Sequence, residues 1–369
     1  MTDAVSNQAA PSARRRAGRW AHTYAALDLG TNNCRLLVAR PASQGFRVID
    51  AFSRITRLGE GVSTTGRLSD AAMARTIDAL KVCAGKIRRR GADRARCVAT
   101  EACRMAANGA EFLARVKAET GLALEIIEAR EEARLAVAGC APLLDPGCAR
   151  GLIFDIGGGS TEVIWLDLAD PAEPEVLAWT SLPVGVVTLA ERHGGHSVTV
   201  EAYEAMIAEV RALLEEFEAT HRIARDIANA AADIQVLGTS GTVTTITAVH
   251  MDLPRYDRNQ VDGSWMAFAD VVAVSHRLRA MPYEARAAHP CIGRERADLV
   301  VAGCAILEGI HRTWPAGCLR VADRGVREGL LAGLMNAADA EIAAPARGAS
   351  VASAPSGRPD AGCESPPLD

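Results

Sequence analysis

The chain has 369 residues, enough for two domains with separate cores, and its 49% hydrophobic and 23% charged residues are ordinary for a globular protein. A net charge of −4 argues against a nucleic-acid-binding surface spread over the molecule, and no stretch approaches the ~20 apolar residues that a membrane span needs. The ten cysteines contain no C-x-x-C pair and no histidine cluster accompanies them, which excludes a disulfide scaffold and disfavours a structural zinc site.

The two ends of the chain differ in composition from the middle. Residues 1–21 combine Ser, Pro, Ala and Arg and predict a flexible tail, while residues 341–369, rich in Ala, Pro, Ser and Gly, predict a disordered one. The arginines at 14–16 do not begin an export signal, because Asp28 and other polar residues interrupt the apolar stretch that follows. We therefore expect a cytoplasmic protein with a folded part from about residue 22 to residue 340.

The first half of the folded part alternates strands with helices, which favours an α/β domain with a mixed sheet. Residues 24–38 predict a strand, a tight turn and a second strand. Ser69 then caps a helix that runs to about Arg89. Further strands are predicted at 46–52, 97–100 and 124–127, and a helix at 129–139.

The second half repeats this arrangement. Strands are predicted at 151–155, 160–166, 176–181 and 234–237, with helices near 186–192 and 199–218. A loop of small residues at 238–242 opens another helix, whose N-terminal N–H groups would attract an anion or a nucleotide. The remainder is predicted to be mostly helical, at 267–281, 295–313 and 325–335.

The most informative segment is 154–162, where Asp155 ends an apolar run and is followed by three glycines, Ser160, a threonine and Glu162. Successive glycines let backbone N–H groups approach an anion closely, because no Cβ blocks the path and a positive φ is accessible. A carboxylate beside such a loop would repel a bare phosphate. The combination therefore indicates a bridging metal ion or an acid that activates water.

The same pattern occurs about 127 positions earlier. Residues 24–38 align without a gap on the later segment, with Asp28 on Asp155 and Gly30 on Gly157. One copy alone is equally well explained as an ordinary β-turn. Two copies with matching acids predict two similar domains that face one cleft.

Two further residues are candidates for chemistry, and each has a plain structural alternative. Glu132, in the first turn of the helix at 129–139, could be a general base between the two loops or could simply stabilise the helix dipole. Arg104, after a strand end, could fork onto phosphate oxygens or form a surface ion pair. The segment 323–329 is interpreted first as a structural contact.

Nine short segments, taken in their order along the chain, resemble the exopolyphosphatase and guanosine pentaphosphate phosphohydrolase family, within the actin-like, sugar-kinase-like ATPase superfamily. The resemblance covers about residues 24–335. It rests on the segments 28–32, 58–61, 99–104, 131–135, 155–162, 181–185, 238–242, 295–298 and 323–329.

The resemblance implies an α/β fold of two ribonuclease-H-like domains that flank a cleft. The first would span 22–140 and the second 141–324, with residues 325–340 packing back on the first. It also implies release of a terminal phosphate from polyphosphate or guanosine pentaphosphate, without nucleic acid or membrane as partner. A homodimer is a further expectation.

Carried over residue by residue, the resemblance implies that Glu132 activates the attacking water and that Glu162 helps to position water or metal. Asp28, Asp155 and Glu162 would hold Mg²⁺ or another divalent cation. The phosphate-binding residues that it implies are Gly30, Thr31, Asn32, Asn33, Arg104, Gly157, Gly158, Gly159, Ser160, Gly238, Thr239 and Ser240.

The chain departs from the family pattern at two places. Asn33 stands where members usually carry a small hydroxyl residue, and no counterpart of the C-terminal helical domains of the longer members follows residue 340. We therefore expect short substrates to be favoured. Two other functions are left open: a small-molecule kinase of the same superfamily, which could hold adenosine at 238–242, and a sensor that binds polyphosphate or an alarmone without turnover.

Overall fold

The computed structural model describes residues 18–170 and 173–343, which form two mixed β-sheets with helices packed around them. The predicted tails lie largely outside this range. Of the first tail, residues 18–21 form a short 3-10 helix (Gly18–Ala21), and of the second, residues 341–343 end the last helix. Within the described residues, no helix is long and apolar enough to cross a bilayer.

The first sheet has five strands in the order β3-β2-β1-β4-β5. Strands β1 to β3 are antiparallel, and β4 and β5 run parallel to β1. The elements of this half are β1 (Tyr24–Leu29), β2 (Asn33–Pro41), β3 (Phe46–Ile55), α1 (Val62–Thr65), α2 (Asp70–Arg89), β4 (Arg94–Ala99), α3 (Glu101–Met105), α4 (Gly109–Thr120), β5 (Glu125–Ile126) and α5 (Ala129–Cys140).

The second sheet repeats this topology with one additional edge strand, in the order β10-β11-β9-β6-β7-β8. Its elements are β6 (Arg150–Ile156), β7 (Thr161–Asp167), β8 (Glu175–Leu182), α6 (Val186–His193), α7 (Val200–His221), α8 (Ile223–Ala230), β9 (Ile234–Thr239), α9 (Gly241–His250), α10 (Arg258–Val261), β10 (Trp265–Ala267), α11 (Phe268–Ala280), α12 (Tyr283–Ala288), α13 (Val300–Thr313), β11 (Cys318–Ala322) and α14 (Val326–Ala343). Three antiparallel strands followed by two parallel ones, found twice, are the ribonuclease-H-like arrangement, so the predicted fold class is confirmed.

Some predicted elements were wrong in detail. The helix expected from residue 295 begins at Val300, because 294–299 form turns. The region after 242 is not purely helical, since the short strands β10 and β11 extend the second sheet. Helix α4 was also missed. The helix capped by Ser69 is confirmed, and the Ser69 hydroxyl accepts a hydrogen bond from the Ala72 N–H at 3.2 Å.

Helices α5 and α14 cross at the centre of the molecule. Leu135 of α5 shares a buried cluster with Leu330 and Leu331 of α14 and with Tyr24 of β1, so α14 packs on the first sheet. Glycine permits this close crossing: a Cβ added at Gly329 would lie 2.1 Å from the Leu135 carbonyl oxygen. The crossing holds Glu132, one turn before Leu135, between the two sheets.

Candidate active site

The two hairpin turns that the sequence repeat predicted have the same backbone geometry. The Gly30 N–H donates to the Asn33 carbonyl at 2.9 Å, and the Gly157 N–H donates to the Ser160 carbonyl at 2.9 Å. The repeat in the sequence is therefore a structural repeat. We call residues 30–33 the first loop and residues 157–160 the second loop.

The two loops are in contact with each other. A Cβ added at Gly158 would lie 2.9 Å from the Thr31 Cβ and 3.1 Å from the Asn32 backbone nitrogen. A Cβ at Gly159 would lie 2.7 Å from the Thr31 hydroxyl oxygen. Positive φ angles occur at nine other described glycines but not at 157–159. These glycines are therefore required for close approach rather than for a left-handed backbone.

The second loop is also fixed from its other side, by the segment before α6. The Val187 N–H donates to the Gly158 carbonyl at 2.8 Å, and a Cβ added at Gly185 would lie 2.4 Å from the Gly158 carbonyl carbon. The segment 181–185 thus holds the second loop against the first.

A cavity of about 130 Å³ opens beside the two loops, between the sheets. Four carboxylate residues line it, one from each of β1, α5, β6 and β7: Asp28, Glu132, Asp155 and Glu162. The other predicted site residues that line it are Asn32, Asn33, Gly157, Gly158 and Ser240.

The remaining predicted site residues lie outside this lining. Gly30, Thr31, Gly159 and Ser160 belong to the two loops without lining the cavity. Gly238 lies in β9, where a Cβ would meet the Phe154 ring at 2.6 Å. The Thr239 hydroxyl donates a hydrogen bond to the Arg324 carbonyl, beside a smaller adjoining pocket.

Ser240 joins β9 to α9 in an unusual backbone conformation. Its φ is 128°, a region that non-glycine residues rarely adopt, and its hydroxyl accepts a hydrogen bond from the Thr242 N–H at 3.1 Å. The turn brings the N-terminus of α9 to the cavity wall, where Gly241 and Thr242 also line it. This end of the cavity offers positive partial charge to an anion.

Arg104 contacts protein groups and not the cavity. Its Nη1 and Nη2 each lie 3.3 Å from Glu132 Oε2, its Nε donates to Glu101 at 2.9 Å, and Nη1 donates to the Ile127 carbonyl at 2.6 Å. With its donors so occupied, the guanidinium orients Glu132 in this structure. The neighbouring Glu131 points elsewhere, to Arg96 and Arg134.

The four carboxyls perturb one another. Burial and then the nearby Asp28 raise the pKa of Asp155 to about 6, while Arg35 and Arg327 oppose the shift. Burial also raises the pKa of Asp28, against the same two arginines. Like charges in a shielded site thus favour the protonated forms.

Glu162 is buried and held by hydroxyl groups. Burial and then Asp155 raise its pKa to about 7, while hydrogen bonds from Ser160 and Ser181 oppose the shift. The Ser181 hydroxyl donates to Glu162 Oε1 at 2.8 Å. Burial and then Glu162 raise the pKa of Glu132 well above its ordinary value, with Arg104 opposing.

Asp28 and Asp155 are the residues that fit a divalent cation. Arg35 and Arg327 act on both carboxyls, yet neither forms an ion pair with them within 4.0 Å in the described part of the chain. A divalent cation would offset the cost of two adjacent carboxylates. Residues 18–170 and 173–343 contain no group of three His, Cys, Asp or Glu side chains placed as a complete metal site. Mg²⁺ usually takes one or two carboxylates and completes its shell with phosphates and water, so two aspartates can serve as its protein ligands.

The first loop contains buried polar atoms without a partner. Thr31 Oγ1, Asn32 Oδ1 and Asn33 Oδ1 are three of the seven such side-chain atoms found in the described residues. An unpaired buried polar atom costs about 1–3 kcal/mol. Their concentration in one loop beside the cavity marks a place that a ligand would complete.

The sequence analysis gave no site role to four arginines that line the cavity or its adjoining pocket: Arg35, Arg296, Arg324 and Arg327. The signal for Arg35 was present. In the gapless repeat Arg35 aligns with Glu162, and in the structure Arg35 lies opposite Asp28 as Glu162 lies opposite Asp155. The two halves of the cavity are therefore equivalent in backbone and opposite in charge at this position.

Two ribonuclease-H-like sheets, whose facing loops meet beside four carboxylates, define an α/β protein with a cleft between the sheets. Residues 37–338 match the sequence model of the Ppx/GppA phosphatase family. The chain belongs to this family.

Named relatives agree with this assignment. Exopolyphosphatase 2 of Mycobacterium tuberculosis is 34% identical over 298 residues, which cover 78% of this chain and 89% of that protein. The guanosine-5'-triphosphate,3'-diphosphate pyrophosphatase of Aeromonas hydrophila is 30% identical over 313 residues, covering 85% of this chain and 59% of the relative. Among solved structures, the Aquifex aeolicus PPX-GPPA enzyme superposes with a TM-score of 0.68 at 30% identity, over 85% of this chain and 99% of that one.

Proposed function

We propose that this protein is a phosphohydrolase that releases terminal orthophosphate from inorganic polyphosphate, converts pppGpp to ppGpp, or does both. The observation that carries the proposal is the position of Glu132, which Arg104 orients at the wall of the cavity beside the two loops. The relatives support hydrolysis over the kinase and sensor alternatives, because both are named for cleavage of phosphoanhydrides.

In the proposed reaction Oε1 of Glu132 accepts a proton from water, while Arg104 contacts Oε2. Its pKa is raised from the ordinary glutamate value in the direction of neutral pH, and a general base is most effective when its pKa lies near the working pH. Glu162, held by the Ser181 hydroxyl, positions the same water from the second sheet.

The chain's own donors act on the phosphate. The backbone N–H of Gly158, together with Arg35, binds the charged phosphoryl group. Attack by water on a phosphoanhydride depends mainly on such positioning and charge stabilisation. Asp28 and Asp155 would hold Mg²⁺ or another divalent cation, and Glu162, which the sequence analysis also counted as a metal ligand, would act on the water instead. When bound, this cation would neutralise charge on the phosphate oxygens.

Three further statements belong to this proposal: a cytoplasmic location, a role in the stringent response and a homodimeric state. The nine cysteines in the described residues are all free, which supports a reducing compartment. Mass measurement by light scattering after gel filtration tests the homodimer, and cell fractionation tests the location.

The decisive experiment measures phosphate release from tripolyphosphate, long polyphosphate, pppGpp and ATP, with Mg²⁺ and with excess chelator. The variants are Glu132→Gln and its neighbour Glu131→Gln. We expect a loss of roughly 10²- to 10⁴-fold in kcat for Glu132→Gln and little change for Glu131→Gln, which faces Arg96 and Arg134. Equal activity of the two variants would contradict the assignment of the base, and ATP-dependent phosphorylation of an acceptor would reveal a kinase.

A further inference from the structure

Residues 56–61, which join β3 to α1, hold the first loop in place, and we call them the connecting segment. The N–H groups of residues 56 and 57 both donate to the Asn32 carbonyl, at 2.9 and 3.0 Å, and the Gly59 N–H donates to the Thr31 carbonyl at 2.9 Å. A Cβ added at Gly59 would lie 2.3 Å from the Thr31 Cγ2. The connecting segment therefore fixes the first loop as the segment 181–185 fixes the second.

Arg57 of the connecting segment has an unfavourable backbone conformation. Its φ is 49°, in the left-handed region, where residues other than glycine, asparagine and aspartate are uncommon. Such a conformation persists only where the surroundings fix it, and it is concentrated at functional sites. Here the surroundings lie across the cleft, because the guanidinium donates to both carboxylate oxygens of Asp298 and, at 3.2 Å, to the Glu295 carbonyl. The conformation of Arg57 thus directs its side chain from the first loop to the other half of the molecule.

On the other side of the cleft, Asp298 is fixed by a buried arginine that the proposed reaction does not use. Arg286 of α12 is 1% exposed, and within the described residues no carboxylate oxygen lies within 4.0 Å of its guanidinium. Its nitrogens donate instead to backbone carbonyls, among them those of Ala297 at 3.0 Å and Gly195 at 2.9 Å. Gly195 also packs on Asp298, since a Cβ added there would lie 2.0 Å from the Asp298 carbonyl oxygen. Arg286 therefore sets the position of the backbone that carries Asp298.

These contacts form one continuous path to the first loop. Arg286 fixes Asp298, Asp298 pairs with Arg57, and the connecting segment binds the loop carbonyls. A second contact runs beside this path, because Glu191 of α6 accepts a hydrogen bond from the last N–H of the connecting segment at 2.8 Å. The first turn of α6 also binds the second loop. Both loops are therefore positioned by the same contacts across the cleft.

We propose that Arg57 and Asp298 are positioning residues for the hydrolysis, because their ion pair sets the first loop against the second. The proposal rests on the proposed function. Neither residue lines the cavity, so neither touches the substrate. The pair acts on the separation between Asp28, at the start of the first loop, and the Gly158 N–H of the second. A displacement of about 1 Å at reacting groups costs up to about 100-fold in rate, even when its cause lies far from the chemistry.

The test compares Arg57→Asn, Asp298→Asn and the double variant with Arg225→Asn, which removes a similar charge from the exposed pair with Asp226. Asparagine tolerates the left-handed backbone, so Arg57→Asn removes the ion pair without adding backbone strain. We expect kcat on the substrate that the wild type cleaves fastest to fall roughly 10- to 100-fold in each single variant at the pair, with KM changed less than about threefold. The double variant should lose no more than either single one, because all three remove the same contact. Arg57→Lys keeps the charge and should retain more activity than Arg57→Asn.

Losses of kcat that multiply in the double variant would overturn the inference, because the two residues would then act independently. A fall in the free energy of unfolding without a fall in kcat would overturn it as well, and so would a change confined to KM.

Hydrogen exchange of the Gly59 N–H, which donates to the Thr31 carbonyl, is measured without substrate. It should be faster in Arg57→Asn and Asp298→Asn than in the wild type, and unchanged in Arg225→Asn. Equal exchange in all of these proteins would overturn the inference. If the wild type releases no phosphate, the proposed function fails, and this exchange still decides whether the ion pair holds the first loop.

Discussion

Arg57 and Asp298 form a two-bonded ion pair across the cleft, although they lie 241 positions apart: Nη1 is 2.8 Å from Oδ2 and Nη2 is 2.9 Å from Oδ1. Arg57 follows β3 of the first sheet, and Asp298 precedes α13, which packs on the second. Glu191 of α6 adds a contact nearby, accepting from the Gly61 N–H at 2.8 Å and the Ser63 hydroxyl at 2.7 Å. Two of the family segments, 58–61 and 295–298, thus lie at one interface between the sheets.

Asp298→Asn should weaken this interface. The carboxylate is about one-sixth exposed, at 17%, so loss of its charge should reduce the free energy of unfolding by about 1–2 kcal/mol and speed hydrogen exchange in residues 57–63. Asp226→Asn is the control, since Asp226 makes a similar pair with Arg225 at an exposed site. Identical hydrogen exchange of residues 57–63 in the two variants would contradict a stabilising role of the Arg57–Asp298 pair at this interface.

The pH dependence of hydrolysis should reflect the protonation state of Glu132. Burial and Glu162 raise its pKa, and a base must be deprotonated to act, so kcat/KM should rise with pH through a limb above the ordinary glutamate value of about 4.3. Arg104 opposes that shift. Arg104→Gln should therefore move the limb to higher pH, while Arg104→Lys should leave it nearer to the wild type. A limb that moves to lower pH in Arg104→Gln would show that the base is another residue.

Stability of the metal-free protein should depend on Glu162 with a definite sign. Its pKa is raised from 4.5 to about 7, so the folded protein binds the proton more tightly than the unfolded chain does. The free energy of unfolding should therefore fall as the pH rises through this window. Glu162→Gln cannot ionise, so it should be more stable than the wild type by about 2–3 kcal/mol near pH 8 and almost equally stable near pH 4.5.

Urea unfolding at the two pH values measures this difference. Ser181→Ala should act in the opposite direction near pH 8, because the Ser181 hydroxyl stabilises the charged form. Destabilisation by Glu162→Gln at high pH would disprove the argument.

Gly158→Ala should separate the two loops. The added Cβ would lie 2.9 Å from the Thr31 Cβ, which is too close, so the loops must shift and kcat/KM should fall by at least about tenfold while the protein stays folded. Gly333→Ala is the control, since a Cβ there meets nothing within 4 Å and lies in helix α14. Equal activity of both variants would show that contact between the loops does not matter.

Much of this site could be predicted from the sequence because the signals are local. A short continuous apolar run followed by a tight turn identifies each hairpin, and Asp28 and Asp155 stand at the same position of the two runs. The same reasoning missed β11, a strand of five residues whose pairing partner β9 lies far away in the chain. The domain boundaries near 140 and 324 stay predictions.

Arg104 shows where local reasoning ends. The sequence placed it after a strand end and left two roles open, a phosphate contact or an ion pair, of which the family resemblance favoured the first. In the structure its guanidinium donates to Glu101, Glu132 and the Ile127 carbonyl. That choice depends on where α5 lies relative to α3, which no short pattern encodes. Arg35 was passed over for a different reason, since the gapless repeat already aligned it with Glu162.

By itself, the sequence determined the two hairpins, their acids and the glycine positions, because turn chemistry and strand period act over a few residues. Only the tertiary structure decided that Glu132 and Glu162 share one cavity and that Arg57 meets Asp298. These relationships are set by helix packing at the crossing of α5 and α14 and by contacts between residues up to 241 positions apart. Distances of that kind follow from close packing of the whole core and not from any segment alone.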